Sequence, residues 1–184
     1  MKLPTLLATA AVAAAIAATP ALAQEAQCFQ NEQYLVIAQE RTEEVGTDFI
    51  IRQPAKGKIA CVYEQHEGDR LLGEPEDPLH FEGLAGPYLV LTRSTGPQGD
   101  LVIYDLADDI YTPLLDVRAE DEIVIAGDSI THWQQAIRGT ALNCPSFDEN
   151  TGYGLGSMIY EERVLDLATL KLAATGNTRC SSTQ

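Results

Sequence analysis

The 184-residue chain predicts an all-β fold, an antiparallel meander stapled by two disulfides. Three observations carry that reading. Apolar and polar residues alternate with a period of two along nearly every patterned segment. Turn residues separate those segments at intervals of roughly 8–12 positions, and the four cysteines divide into an early and a late couple. The pattern leaves the arrangement of strands open between a blade-like array, a sandwich and a barrel.

Residues 1–23 read as an export signal. Met1-Lys2 gives a short positive end, Leu6 to Ala18 an apolar stretch that Pro20 breaks, and Ala21-Leu22-Ala23 the small-x-small pattern that a signal peptidase needs. The stretch is too short and too alanine-rich to span a bilayer, which takes about 20 strongly apolar residues. Four residues separate Ala23 from Cys28, so that cysteine is not placed for lipidation. The expectation is a periplasmic or secreted protein with no membrane anchor after cleavage, in which residues 24–184 form a single β-rich domain.

Strands are predicted over Tyr34–Ala38, Asp48–Arg52 and Lys58–Glu64, the last two forming a hairpin through Gln53-Pro54-Ala55-Lys56-Gly57. Gly73–Pro78, with two prolines and three acids, reads as a loop. Strands resume at Tyr88–Arg93 and Leu101–Tyr104, across a turn at Thr95–Gly99. Ile110–Leu115, Glu122–Ala126, Ser129–Gln134, Met158–Leu165 and Leu170–Ala174 complete the set. A faint internal repeat runs through them: Val102–Ala107 and Arg163–Ala168 both end a strand in Asp-Leu-Ala. These two segments resemble the hairpins between outer strands of β-propeller blades, which implies a blade-like meander. The C-terminal third, with Asn143-Cys144-Pro145 and Thr178-Arg179-Cys180-Ser181, resembles uncharacterised secreted bacterial proteins of similar size, and that resemblance implies no activity.

Export places the cysteines in an oxidising compartment. Of three possible pairings, Cys28 with Cys61 and Cys144 with Cys180 joins each couple. Each bridge closes a loop of about 35 residues and contributes roughly 3–4 kcal/mol on the chain-entropy model. The net charge of −15 repels phosphate backbones and anionic lipid, which argues against nucleic acid as a partner. It favours a protein or another basic partner in the envelope. A groove for such a partner would be an apolar patch rimmed by acids.

The sharpest chemical motif is Ile123-Val124-Ile125-Ala126-Gly127-Asp128-Ser129. It resembles the first block of the GDSL/SGNH esterases, a strand followed by Gly-Asp-Ser. The resemblance implies Ser129 as nucleophile and, from Asp77-Pro78-Leu79-His80, His80 as base with Asp77 orienting it. In that family the serine precedes the Asp-x-x-His element; here it follows. The competing reading, adopted here, makes Gly127-Asp128 a two-residue hairpin turn. Calcium is a further alternative, with Asp105, Asp108 and Asp109 the best-placed carboxylates, although no EF-hand spacing is present. His66 among Glu64, Glu67 and Asp69 reads as a solvated loop. Thr151–Gly156 lacks the lysine and helix of a phosphate loop. His132 and Trp133 occupy opposite faces of a strand, with Trp133 expected in the core. No cofactor is expected. The reading is a non-catalytic binding or structural module of the cell envelope, with the serine esterase and the calcium-binding protein as alternatives.

Overall fold

Strong alternation in the first third makes a four-stranded antiparallel sheet in chain order: β1 (Gln27–Gln30), β2 (Leu35–Glu40), β3 (Thr47–Arg52) and β4 (Arg70–Leu72). A seven-stranded antiparallel sheet follows, again in chain order. It comprises β5 (Leu79–Ala85), β6 (Tyr88–Arg93), β7 (Gly99–Asp105), β8 (Pro113–Ala126), β9 (Ser129–Arg138), β10 (Gly156–Asp166) and β11 (Lys171–Thr183). A short helix, α1 (Phe147–Gly152), interrupts the β9–β10 connection. This computed structural model describes residues 25–96, 98–108 and 112–184; the expected export signal lies outside them.

The long strand β8 divides the larger sheet. Its first half pairs with β7, from Pro113 opposite Tyr104 to Ala119 opposite Gly99. Its second half pairs with β9, from Ile123 opposite His132 to Ala126 opposite Ser129, after a register break between Ala119 and Ile123. That break folds β8–β11 back over β5–β7, so closely that a Cβ on Gly83 of β5 would collide with Ile125 of β8. The result is three antiparallel meanders in layers, with no closed barrel among the described residues.

The middle layer explains the most apolar segments of the sequence. Leu89 and Leu91 of β6, with Val102 and Tyr104 of β7, face Val36, Ala38, Phe49 and Ile51 of the first sheet. Val90, Leu101 and Ile103 face the other way, onto Ala119, Ile130, Leu165 and Leu167. Both faces are covered, which is why Tyr88–Arg93 and Leu101–Tyr104 read as nearly continuous apolar runs.

The repeated Asp-Leu-Ala has a common geometry. Asp105 Oδ1 accepts from the Ala107 amide at 2.9 Å, and Asp166 Oδ1 accepts from the Thr169 amide at 2.7 Å. In both copies the leucine amide donates to a neighbouring hairpin turn, Leu106 to Pro87 O and Leu167 to Asp128 O, each at 2.8 Å. Both turns begin with a glycine at φ +57°, Gly86 and Gly127. The Gly127-Asp128 hairpin is therefore as expected.

Several expectations need correction. Lys58–Glu64 forms no strand: the place beside β3 belongs to β4, with Arg70 opposite Ile51. The 58–64 segment instead crosses the outer face of the first sheet, drawn there by Cys61. Ile59 and Tyr63 rest on Leu35, Ile37 and Ile50, so the period of two reflects one-sided cover without a ladder. Of the two strands expected at Ile110–Leu115 and Glu122–Ala126, Pro113–Leu115 and Glu122–Ala126 belong to the single strand β8, and residues 109–111 lie outside those described. β1, β4, β5 and α1 were not anticipated. The bulge between Phe81 and Gly83 breaks the alternation of β5, and six residues are too few for α1 to show a helical period.

Gly139 sits where β9 leaves the sheet, its amide donating to Ser157 O at 2.8 Å. A Cβ there would lie 2.7 Å from Ser157 Cβ, 3.0 Å from Ser157 C and 3.2 Å from Cys144 Cβ. Because backbone must move to admit it, Gly139→Ala is expected to lower stability by about 1–3 kcal/mol. An unchanged urea midpoint would contradict this packing.

Candidate functional site

At the β8 corner the register break leaves a cleft of about 440 Å³ between the β6–β7 loop and the end of β11. Ala119, Leu155 and Tyr160 supply its apolar lining, and Glu120 and Glu122 line it beside Arg179. Tyr160 is held by cross-strand pairing with Gln135 and Arg179. The Arg179 guanidinium lies 4.2 Å from the Trp133 ring centroid and pairs with both Glu120 and Glu122. Gln98 closes one end, donating to Ser182 O at 3.3 Å and accepting from Thr183 Oγ1 at 2.9 Å. Two carboxylates thus face one guanidinium. The Glu120 side chain is 19% exposed and that of Glu122 is 62% exposed, so Glu122 carries the accessible negative charge. Burial, followed by the charge of Glu120, pushes the Tyr160 phenol above its ordinary pKa and keeps it neutral. Such a site suits a cationic group with an apolar stem.

Trp133 is the reverse of the expectation. It is half-buried and serves as a platform for Arg179, while His132 on the opposite face is 0% exposed. The reason is the fold-back of β8–β11, which turns the His132 face of β9, shared with Ile130, toward the middle layer. Neither imidazole nitrogen of His132 has a hydrogen-bond partner, nor do Gln134 Oε1 and Arg163 Nε beside it. Burial pushes the His132 pKa down to about 4, with Gln134 opposing and Arg163 reinforcing the shift.

The residues singled out as an esterase triad are bound separately. Ser129 Oγ donates to Ala126 O at 3.0 Å within its own hairpin turn. His80 Nε2 lies 3.3 Å from Ser94 O. The Asp77 carboxylate holds Arg93 Nε at 2.5 Å, and its carbonyl accepts from Arg41. Arg93 also meets Asp116 at 2.9 Å and Asp100 at 3.5 Å. Although burial opposes its charge, hydrogen bonds to Asp77 and Asp116 outweigh it and raise the guanidinium pKa. Asp77 thus ties the approach to β5 to Arg93 of β6, which in turn meets Asp116 of β8.

The calcium candidates are similarly engaged. Asp105 forms the turn already described, the Asp108 carbonyl accepts from Arg70 at 3.3 Å, and Asp109 lies outside the described residues. Among the described residues, no three His, Cys, Asp or Glu side chains converge as a metal site would require. Both expected disulfides are present, with Cα–Cα distances of 5.8 Å for Cys28–Cys61 and 5.4 Å for Cys144–Cys180. The cleft was not anticipated, because it depends on a corner inside one strand. The run Glu120-Asp121-Glu122 between two apolar stretches was its only trace. Compared with protein-family models, curated proteins and solved structures, the chain matches none.

The buried imidazole gives a pH dependence with a definite sign. His132 in the fold binds its proton more weakly than free imidazole, near 6.5, so its contribution is intact above that pH. It is lost as the pH falls through the window from 6.5 to about 4. Wild type should lose about 3 kcal/mol more than His132→Gln between pH 7 and pH 4 in urea unfolding. Parallel losses would place the His132 pKa close to its free value.

Proposed function

We propose that the chain is an exported, non-catalytic module of the cell envelope that holds a basic partner in the cleft at the β8 corner. The observation that carries this reading is the make-up of the cleft. An apolar lining of Ala119, Leu155 and Tyr160 is edged by two carboxylates against one guanidinium. A lysine or arginine of a partner would lay its methylenes on the lining and share Glu122 with Arg179, in the manner of an amphipathic side chain on an apolar surface. The −15 net charge supplies long-range attraction for such a partner. The engagement of Ser129, His80 and Asp77 in separate structural bonds favours binding over acyl transfer. Two disulfides are compatible with the oxidising compartment to which the first 23 residues would direct the chain.

Calorimetric titration with a short arginine-containing peptide tests the binding half. Binding should weaken with added salt and fall by about tenfold in Glu120→Gln/Glu122→Gln, a change of about 1.4 kcal/mol. Equal affinity in that variant, or no heat at low salt, would contradict the site. The export half rests on intact mass. Protein from the periplasm should begin at Gln24 and lack the four hydrogens of two oxidised cysteine pairs. A chain retaining residues 1–23 in the cytoplasm would contradict it.

A further inference from the structure

We infer that the Cys28–Cys61 disulfide is a thiol-exchange site whose opening releases residues 56–63 as a flap and uncovers the outer face of the first sheet. The two bridges differ in setting. Cys144 is 4% exposed and Cys180 half-buried, whereas Cys28 is half-buried and Cys61, alone of the four, is at the surface. Exchange requires access of an incoming thiolate to a sulfur, and only the first bridge offers it freely.

The segment held by that bridge has few other ties. Residues 56–63 join no β-ladder, and the backbone bonds Val62 to Ala60 and Glu64 to Val62 are local turns. Its two ends are fastened independently. Gln30 clasps Ala55, donating to its carbonyl at 3.1 Å and accepting from its amide at 2.9 Å. Arg52 holds the Glu64 carbonyl at 2.8 Å and the Asp69 carboxylate at 2.6 Å. Gly57, with φ of +86° and open space around it, is suited to act as a pivot. Beneath the segment lie Leu35, Ile37 and Ile50, none more than 2% exposed and covered by Ile59 and Tyr63. Once the bridge opens, contacts from two half-buried side chains must offset the entropy of ordering the whole segment, and entropy prevails.

The chemistry balances with a dithiol reductant. Its thiolate attacks Cys61 Sγ and forms a mixed disulfide, while the electron pair of the broken bond leaves on Cys28 Sγ, which takes a proton. The second thiolate of the reductant then displaces Cys61 Sγ, which is protonated in turn. Two cysteine thiols and a cyclic oxidised reductant remain.

The sequence supplies a reporter, since two of the four lysines, Lys56 and Lys58, lie in the flap. Oxidised protein is treated with graded dithiothreitol, trapped with iodoacetamide and peptide-mapped, with brief trypsin exposure in parallel and Trp133 emission as the control for folding. Cys28 and Cys61 should be labelled together at a reductant concentration about tenfold below that needed for Cys144 and Cys180. Tryptic nicking after Lys58 should accelerate by about tenfold while Trp133 emission stays native. Simultaneous labelling of all four cysteines, earlier labelling of Cys144 and Cys180, or labelling of Cys28 and Cys61 without faster nicking would each overturn the inference. The Cys28→Ser/Cys61→Ser variant should be nicked at the fast rate without reductant. Nicking as slow as in oxidised wild type would show that the bridge does not hold the flap, and the wild-type reduction series decides the matter if the variant fails to fold.

Discussion

Strands β6 and β7 have no solvent face, and the remaining structure is arranged to cover them. Leu89, Val90, Leu91, Leu101, Val102 and Ile103 are all 0% exposed, with successive residues directed into opposite cores. Burying each such side chain contributes about 1.5–3 kcal/mol, so these six together match the whole net stability of an ordinary domain, about 5–15 kcal/mol. Two apolar faces need two covers. The first sheet covers one. The second cover must come from the same sheet that contains β6 and β7, and β8 provides it by changing partners at Ala119–Ile123. The cleft is a consequence of that corner, since Glu120 and Glu122 sit where β8 passes from one ladder to the next.

Charge plays a second organising role. In a chain of net charge −15, the arginines act as ties between loops and strands. Arg41 meets Asp48 and the carbonyls of Pro75 and Asp77. Arg52 secures the far end of the flap, Arg70 donates to Leu106 O at 2.6 Å, and Arg93 joins three aspartates. A single exposed ion pair contributes only about 0–1 kcal/mol, but a guanidinium with several partners fixes where a loop runs. Arg179 follows the same pattern with one difference. Its partners line an open cleft of about 440 Å³, and its guanidinium also rests 4.2 Å from the Trp133 ring centroid, so this tie borders a void as well as an aromatic surface.

The fold was legible wherever one residue position carried one environment. Tyr88–Arg93 was bounded correctly because its apolar run is buried on both sides, and Gly127-Asp128 because only a tight turn suits glycine at φ +57° there. The disulfide pairing followed from spacing along the chain. Lys58–Glu64 misled because one-sided cover and a strand produce the same alternation; the disulfide supplies what a ladder would otherwise provide. His132 and Trp133 were exchanged because sequence shows that they face opposite ways but not which face the fold-back will bury. The site was the least legible part. Ser129 stands in a motif that the hairpin alone accounts for, whereas Tyr160 and Arg179 pair across β10 and β11 and Glu120 of β8 joins them only through the β8 corner.

A basic partner either occupies that corner or merely associates with the negative surface. Amide and indole chemical-shift mapping during addition of an arginine-containing peptide separates these directly. The predicted result is saturable shifts concentrated at the Trp133 indole, Gln98, Leu155 and Arg179. Shifts spread over the acidic segments Glu43-Glu44 and Glu74–Asp77, with the Trp133 indole unmoved, would contradict it.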